Sequence, residues 1–471
     1  MKKALNVGFA VTVSGRWPRE LPEKRLREYG DWAESDLPGT KLFRFSRLVC
    51  SHEDLDDCIA YFTENKVDLI LLVYGAFTGD DIACGLADAC RRPIILWAPR
   101  EERWERQDRL YANALCCAAM NGASLTRLHA PHHVVFGDKE EERVVTELHN
   151  LTAAYAVIKN LQGFTFGLFG YRPTAFYNCA FDEVVIRRTF GINFEETDLK
   201  VVFDTMAQLP WSEVEAEMAR ISDTWDISAL PDGHLENHAR LYLALKQLAP
   251  ARGYDYSAIK CWPEMGNLHS APCAVLGRLA DEGIGISCEG DVDAGLAAIV
   301  QNMLSGKPTF VTDLINIDEK ENTVTFWHCG NAAPSLHDTS DGVTMCNHPL
   351  VNQGTSFWCA LKPGPVTAAR FTNIDGQYRL FLLRGEAIPT VRNTRGSMVN
   401  VKIKTPVLQL VQEIADSGMS HHYSVVWQDV ADKMIPLPKL LNFPVVNLCP
   451  PIIAKKGPRG ALGLREFPFY A

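Results

Sequence analysis

Short apolar runs alternate with amphipathic stretches through the first third of the chain. Those at 5–13, 41–48, 67–74, 93–98 and 127–136 read as buried strands. Between them, segments such as HEDLDDCIAYFTENK place apolar residues three and four positions apart, the period of a helix with one buried face. Uniformly apolar strands separated by helices are the pattern of a parallel sheet covered on both faces. A second run of this kind opens at Phe164-Thr165-Phe166-Gly167-Leu168-Phe169-Gly170 and continues to about residue 305, with a long amphipathic helix over 235–248 and strands at 258–262 and 284–288. After 306 the texture changes. β-branched and aromatic residues alternate with polar ones, and turn dipeptides stand at Asp341-Gly342 and Asp375-Gly376. Helical spacing is scarce before 406–417, so this part predicts an antiparallel sheet or barrel. The expected fold is α/β: two tandem doubly wound parallel-sheet domains, 1–162 and 163–305, followed by an antiparallel β-barrel-like domain at 306–471.

A chain of 471 residues exceeds one ordinary core, in keeping with two or three domains. Its 47% hydrophobic and 22% charged residues are ordinary for a soluble enzyme. A net charge of −10 without a Lys/Arg block argues against nucleic acid or an anionic membrane as partner and leaves a small molecule. The 14 cysteines are scattered without a C-x-x-C, which excludes a zinc ribbon or thioredoxin-type motif and suggests a reducing cytoplasm. The start MKKALNVGFAVTVSG reads as a first buried strand rather than a signal peptide, and no run approaches the roughly 18 apolar residues of a membrane span. The Pro- and Gly-rich tail from Cys449 is expected to wrap a neighbour or its own surface.

Candidate chemistry centres on Glu289 and Asp313, which bracket the strand–helix–strand segment SCEGDVDAGLAAIVQNMLSGKPTFVTD. In doubly wound folds the carboxyl ends of parallel strands line the ligand crevice, so both carboxylates can reach one pocket. His328 follows the apolar run at 323–327, and His421-His422 opens another at 422–427. Carboxylates with one or two imidazoles suit Mn²⁺, Mg²⁺ or Co²⁺, and ligand type alone also admits Zn²⁺. Other signals fade on inspection. The glycines at 163–170 have the wrong spacing for a dinucleotide loop, and Ser305-Gly306-Lys307-Pro308 lacks the upstream glycine of a P-loop. His132-His133 has no acidic residue nearby and reads as structural, while His337 and His348 lie in turn-rich sequence without a motif.

The stretches FGYRPTAFYNCAFDEVVIRRTFG (169–191), KCWPEMGNLHSAPCAVLGRLADEG (260–283), SCEGDV, FVTDL and TFWHCGNAAP, with SHHYSVVWQ, resemble the L-fucose and L-arabinose isomerase superfamily, particularly its fucose-isomerase-like members. The resemblance implies that Glu289 and Asp313 bind a divalent metal, most often Mn²⁺, and serve as acid and base. It further implies that His328 and His422 complete the ligands, with His421 beside the substrate and in reserve as the ligand of the His-His pair. Val13-Ser14-Gly15-Arg16 resembles a segment that lends an arginine, here Arg16, to the pocket of an adjoining subunit, and a homo-oligomer, commonly a hexamer, is implied.

The reaction so implied interconverts an aldose and its 2-ketose by ene-diolate proton transfer, with general acid–base groups contributing roughly 10²–10⁴-fold. Which carboxylate is the base is not set by the sequence, because a shared cation couples them. Trp262 and Trp327 could pack on a sugar face, Glu264 could accept its hydroxyls and Arg172 could donate to it. The structural alternatives are two core tryptophans, a Lys260–Glu264 ion pair and a loop cap. A non-catalytic sugar sensor and a metal-dependent sugar lyase or hydrolase stay open, as does the identity of the sugar: fucose, arabinose, a related deoxysugar or one bearing an anionic substituent.

Overall fold

The fold is that of a computed structural model, which describes residues 3–101, 109–441, 443 and 445–447. The tail from Cys449 lies outside the described residues. Five strands make the first sheet: β1 (Leu5–Thr12), β2 (Thr40–Arg44), β3 (Leu69–Tyr74), β4 (Ile94–Ala98) and β5 (His132–Phe136), in the order β2-β1-β3-β4-β5 and all parallel. Every residue of β3 and β4 is buried, as expected of strands covered on both faces. Several sequence expectations are too long, among them 258–262, where the strand ends at Ile259. The run at 41–48 leaves the strand after Arg44, and the run from 127 begins on the last turn of the helix Ala114–Arg127, which ends before a left-handed His129.

The chain then forms β6 (Thr165–Phe169), β7 (Asn193–Thr197), β8 (Asp226–Ala229), β9 (Tyr256–Ile259) and β10 (Ile286–Ser287). Four of these give a second parallel sheet, β10-β9-β6-β7. Strand order reverses between β6 and β9, so the segments after them, Gly170-Tyr171-Arg172 and Lys260-Cys261-Trp262, flank a switch-point crevice.

The remaining strands are β11 (Thr309–Asp318), β12 (Thr323–His328), β13 (Thr344–Cys346), β14 (Ser356–Ala360), β15 (Gly364–Ile374), β16 (Gln377–Ile388), β17 (Ser397–Ile403), β18 (His422–Val426) and β19 (Val445–Asn447). With β8 they build a ten-stranded sheet, in which an extra β16–β17 pairing joins β16, β15, β18, β11, β12 and β17 into a closed circuit. This sheet is mixed rather than purely antiparallel: β8 arrives from the preceding segment and runs parallel to β13, and β14–β17 and β16–β19 are also parallel. The hairpin β15–β16 turns on Asp375 and Gly376, both left-handed (φ 53° and 79°), the geometry that Asp-Gly favours in a two-residue loop.

One helix, Val292–Ser305, ties the second sheet to the third. Asp291 caps its start by accepting from the Ala294 N–H, and left-handed Gly306 ends it. Its residues from Val292 to Gln301 are all buried, which explains a sequence apolar on every face. The turn before it carries Glu289 and the strand after it carries Asp313.

Candidate metal centre and sugar site

Glu289 sits in a single turn, Cys288–Gly290, at the carboxyl end of β10, and is itself left-handed (φ 58°). A non-glycine residue held there costs roughly 1–2 kcal/mol, a strain that persists only where neighbours enforce it. The enforcement is visible at Gly290, where any Cβ would collide with the Tyr171 carbonyl. The turn is thereby wedged against the segment after β6, and the Glu289 carboxylate is aimed toward the third sheet.

Register brings the other groups to it. On β11, Asp313 lies directly opposite His422 of β18 on one side and Trp327 of β12 on the other, so these side chains share a face. His422 Nε2 lies 3.5 Å from Glu289 Oε2 and 3.4 Å from Asp313 Oδ1. His328, at the end of β12, has its ring centroid 5.4 Å from that of His422. Potential ligand atoms of Glu289, His328 and His422 lie within 4.8 Å of one another, as do those of Asp313, His421 and His422. Four atoms in this cluster, Glu289 Oε2, Asp313 Oδ1, His328 Nδ1 and His422 Nε2, are buried without a hydrogen-bond partner. Buried polar atoms left so are costly, and two carboxylate oxygens with two imidazole nitrogens are the donor set of a divalent cation.

A second layer fixes the orientation. The Nδ1–H of His422 donates to Asp291 Oδ2 at 2.9 Å, which leaves Nε2 as the lone-pair nitrogen facing the cluster. Asp291 in turn accepts from Arg370 Nη1 at 2.9 Å, and Arg370 also donates to the His422 carbonyl. Asp291 and Arg370 are fully buried, and their pairing offsets the desolvation each would otherwise suffer. Burial opposes ionisation of Asp291, but Arg370 and then His422 hold its carboxyl well below the usual carboxylate range.

The titration of the inner groups follows from the same contacts. Burial disfavours charge on Glu289, yet the His421, His422 and His328 rings beside it keep its pKa below the ordinary value. Burial pushes His328 down to about 4, against the pull of Asp313, so it is neutral at pH 7. Burial works against protonation of His422 as well, but Asp291, Glu289 and Asp313 outweigh it and raise its pKa.

His421 is the solvent-facing member, 40% exposed and stacked on His422 with ring centroids 4.0 Å apart. Its Nδ1 meets Asn178 Nδ2 at 2.9 Å and Ser420 Oγ at 3.1 Å, while Nε2 lies 3.8 Å from both Glu289 and Asp313. Trp262 packs edge-on to Phe176, whose ring also meets His421, so this indole stands at the rim of the cluster.

Other sequence candidates stand apart from the inner cluster. The Trp327 indole N–H donates to the Arg395 carbonyl, anchoring the ring to the turn before β17. Glu264 takes an ion pair from Lys260 at 2.7 Å and lines a separate cavity of about 390 Å³ with Tyr171 and Asp198. The Arg172 guanidinium lies over the rings of Tyr171 and Tyr177, and its buried Nε has no partner. Arg16 is exposed in the loop after β1.

Two features escaped the sequence reading. Asp291 and Arg370 orient His422, and His348, in the loop after β13, lies near enough to feel the charge of Glu289. His348 Nδ1 accepts from the N–H groups of Leu350 and Val351 at 3.2 and 3.3 Å, so its proton resides on Nε2 and it presents a donor rather than a ligand. Burial pushes its pKa down to about 4, opposed by the negative charge of Glu289.

No family model matches the chain. It is 28% identical over 398 residues to the sulfoquinovose isomerase of Priestia aryabhattai, covering 84% of this chain and 89% of that protein. The sulfoquinovose isomerase of Alkalicoccus urumqiensis is 28% identical over 408 residues (85% and 90%), and that of Clostridium sp. (strain MSTE9) 29% over 358 (74% and 79%).

Proposed function

We propose that this protein is a divalent-metal-dependent aldose–ketose isomerase, with Glu289, Asp313, His328 and His422 holding the ion. The observation that carries the metal reading is the convergence of four buried, unpartnered atoms, two oxygens and two nitrogens, one from each of these residues. The isomerase reading rests on the likeness, along most of the chain, to proteins named sulfoquinovose isomerase. Mn²⁺ is the ion favoured, with Mg²⁺ and Co²⁺ as substitutes, since mixed carboxylate and imidazole sites suit them.

Conversion of an aldose to its 2-ketose moves a proton from C2 to C1 and another from the oxygen on C2 to the oxygen on C1. A bound divalent cation supplies positive charge where those oxygens become anionic. One of the carboxylates, Glu289 or Asp313, takes the C2 proton and returns it to C1. His421, within reach of both carboxylates and open to solvent, is placed to hand protons between the oxygens. The hydrogen bond from His422 to Asp291 keeps a lone pair on Nε2 toward the ion. The His348 Nε2–H offers a fixed donor to a substrate oxygen.

The test is a panel of aldoses, sulfoquinovose among them, incubated with Mn²⁺-loaded and chelator-treated protein and scored for ketose. Ketose from one aldose that vanishes with chelator is expected. Equal turnover after complete metal removal would refute the metal reading, and ketose from no aldose would refute the isomerase reading.

A further inference from the structure

From the isomerase reading above, and resting on it, we infer that Arg395 recognises an anionic substituent of the sugar at the edge of this site, making the substrate an acidic aldose rather than a neutral one.

Arg395 is half-buried immediately beside the ligand strand. Its carbonyl accepts the Trp327 indole N–H at 2.9 Å, a Cβ on Gly396 would press on the His328 carbonyl, and Ser397, next along the chain, pairs with His328 across β12–β17. The backbone of this turn is therefore seated on Trp327 and His328. From there the guanidinium reaches the 347–352 loop, where it donates to Asn347 Oδ1, to the Pro349 carbonyl at 3.4 Å and to Asn352 Oδ1 at 3.1 Å. These acceptors stand on both sides of His348 in the chain, close enough to the centre for the charge of Glu289 to reach its ring.

All three acceptors are neutral. Among the described residues no carboxylate pairs with Arg395, in a chain whose acids outnumber its Lys and Arg by ten. The contrast with other arginines of the same sheet is direct. Arg384 is closed by Asp429 at 2.8 Å and Asp432 at 2.5 Å, and Arg392, three residues away, faces Asp341 at 3.8 Å. A guanidinium held by neutral amides and carbonyls keeps its full charge for an incoming anion and is already oriented. A sulfonate or phosphate matches it, because three oxygens on one centre accept from a guanidinium fork while the reacting end of the sugar lies at the carboxylates. His348, flanked in the chain by two of the acceptors that hold Arg395, adds a neutral Nε2–H donor.

The experiment compares Mn²⁺-loaded wild type, Arg395→Gln and Arg395→Lys on sulfoquinovose and on glucose, its counterpart without the sulfonate. Wild type is expected to prefer the sulfonated sugar. In Arg395→Gln the ratio of kcat/KM for the two sugars should fall at least about tenfold, chiefly through KM, and Arg395→Lys should restore part of it. Mn²⁺ affinity measured on the same variants should stay within about threefold of wild type, separating lost anion recognition from collapse of the loop. Equal wild-type turnover of both sugars would overturn the inference while leaving the isomerase reading standing. So would a parallel loss on both sugars in Arg395→Gln that Arg395→Lys does not relieve. Ketose from neither sugar, nor from any aldose, overturns the isomerase reading and this inference with it.

Discussion

Two histidine pairs stand at the start of two strands of this molecule, one half-buried at the edge of its sheet and one fully buried, and they have opposite fates. His132-His133 begins β5 and His421-His422 stands at β18. In the first pair, His132 Nδ1 meets the Ala130 carbonyl at 2.9 Å, and His133 lies edge-on to Tyr155 with its Nε2 buried and unpartnered. Burial pushes His133 down to about 4, and the charges that reach it are those of Lys439 and His132, so no anion compensates. In the second pair, burial of His422 is answered by Asp291 behind the ring and by Glu289 and Asp313 in front. An orphaned imidazole nitrogen therefore means little alone. Orphaned oxygens facing it make a cation site.

The comparison breaks most visibly if the acids are removed. Asp313→Asn keeps the shape of the side chain while deleting its charge, and turnover should fall at least about 10³-fold with the circular dichroism spectrum unchanged. Asp291→Asn acts behind the ring. It frees His422 to reorient and leaves Arg370 buried without its counter-ion, so a loss of about 3–5 kcal/mol in denaturant unfolding and 10–100-fold weaker Mn²⁺ binding are expected.

A smaller effect comes from protons. The pKa of His422 is raised, so below that pKa the metal-free ring also carries a proton on Nε2, which an entering ion must displace. Mn²⁺ affinity should fall by about tenfold per pH unit below that pKa, with close to one proton released per ion in calorimetric titrations run in two buffers. The sign reverses for folding without metal: this group favours the folded state below its unfolded pKa of about 6.5, and the contribution fades as pH rises through the folded value. At the small end, His133→Leu replaces a half-buried orphan by an apolar group. Turnover and metal affinity should not move, and stability should shift by less than about 1 kcal/mol.

Legibility in the sequence followed locality. Glu289 and Asp313 could be found because one strand–helix–strand unit carries both, and His328 and His422 because each ends or begins an apolar run. The Asp375-Gly376 hairpin was legible for the same reason. Asp291 had a visible signal, an aspartate before a helix, but that pattern reports a cap and says nothing of His422, 131 positions away. Arg370 is a lone cation in the strand VTAARFTNI, a hint of a buried pair whose partner only the packing reveals. His348 had no signal, because its place depends on a loop that Arg395 holds from 43–48 positions further along the chain. Lys260 and Glu264, four apart in the chain, form the ion pair that the sequence offered as the alternative to a sugar contact.

The most direct measurement is an Mn²⁺ titration of chelator-stripped protein at pH 8, followed by electron paramagnetic resonance, on wild type and on the Glu289→Gln/His422→Ala double variant. One tightly held ion per wild-type chain, weakened by about 100-fold or more in the variant, is the predicted result. An ion bound equally well by both proteins, or by neither, would contradict the account.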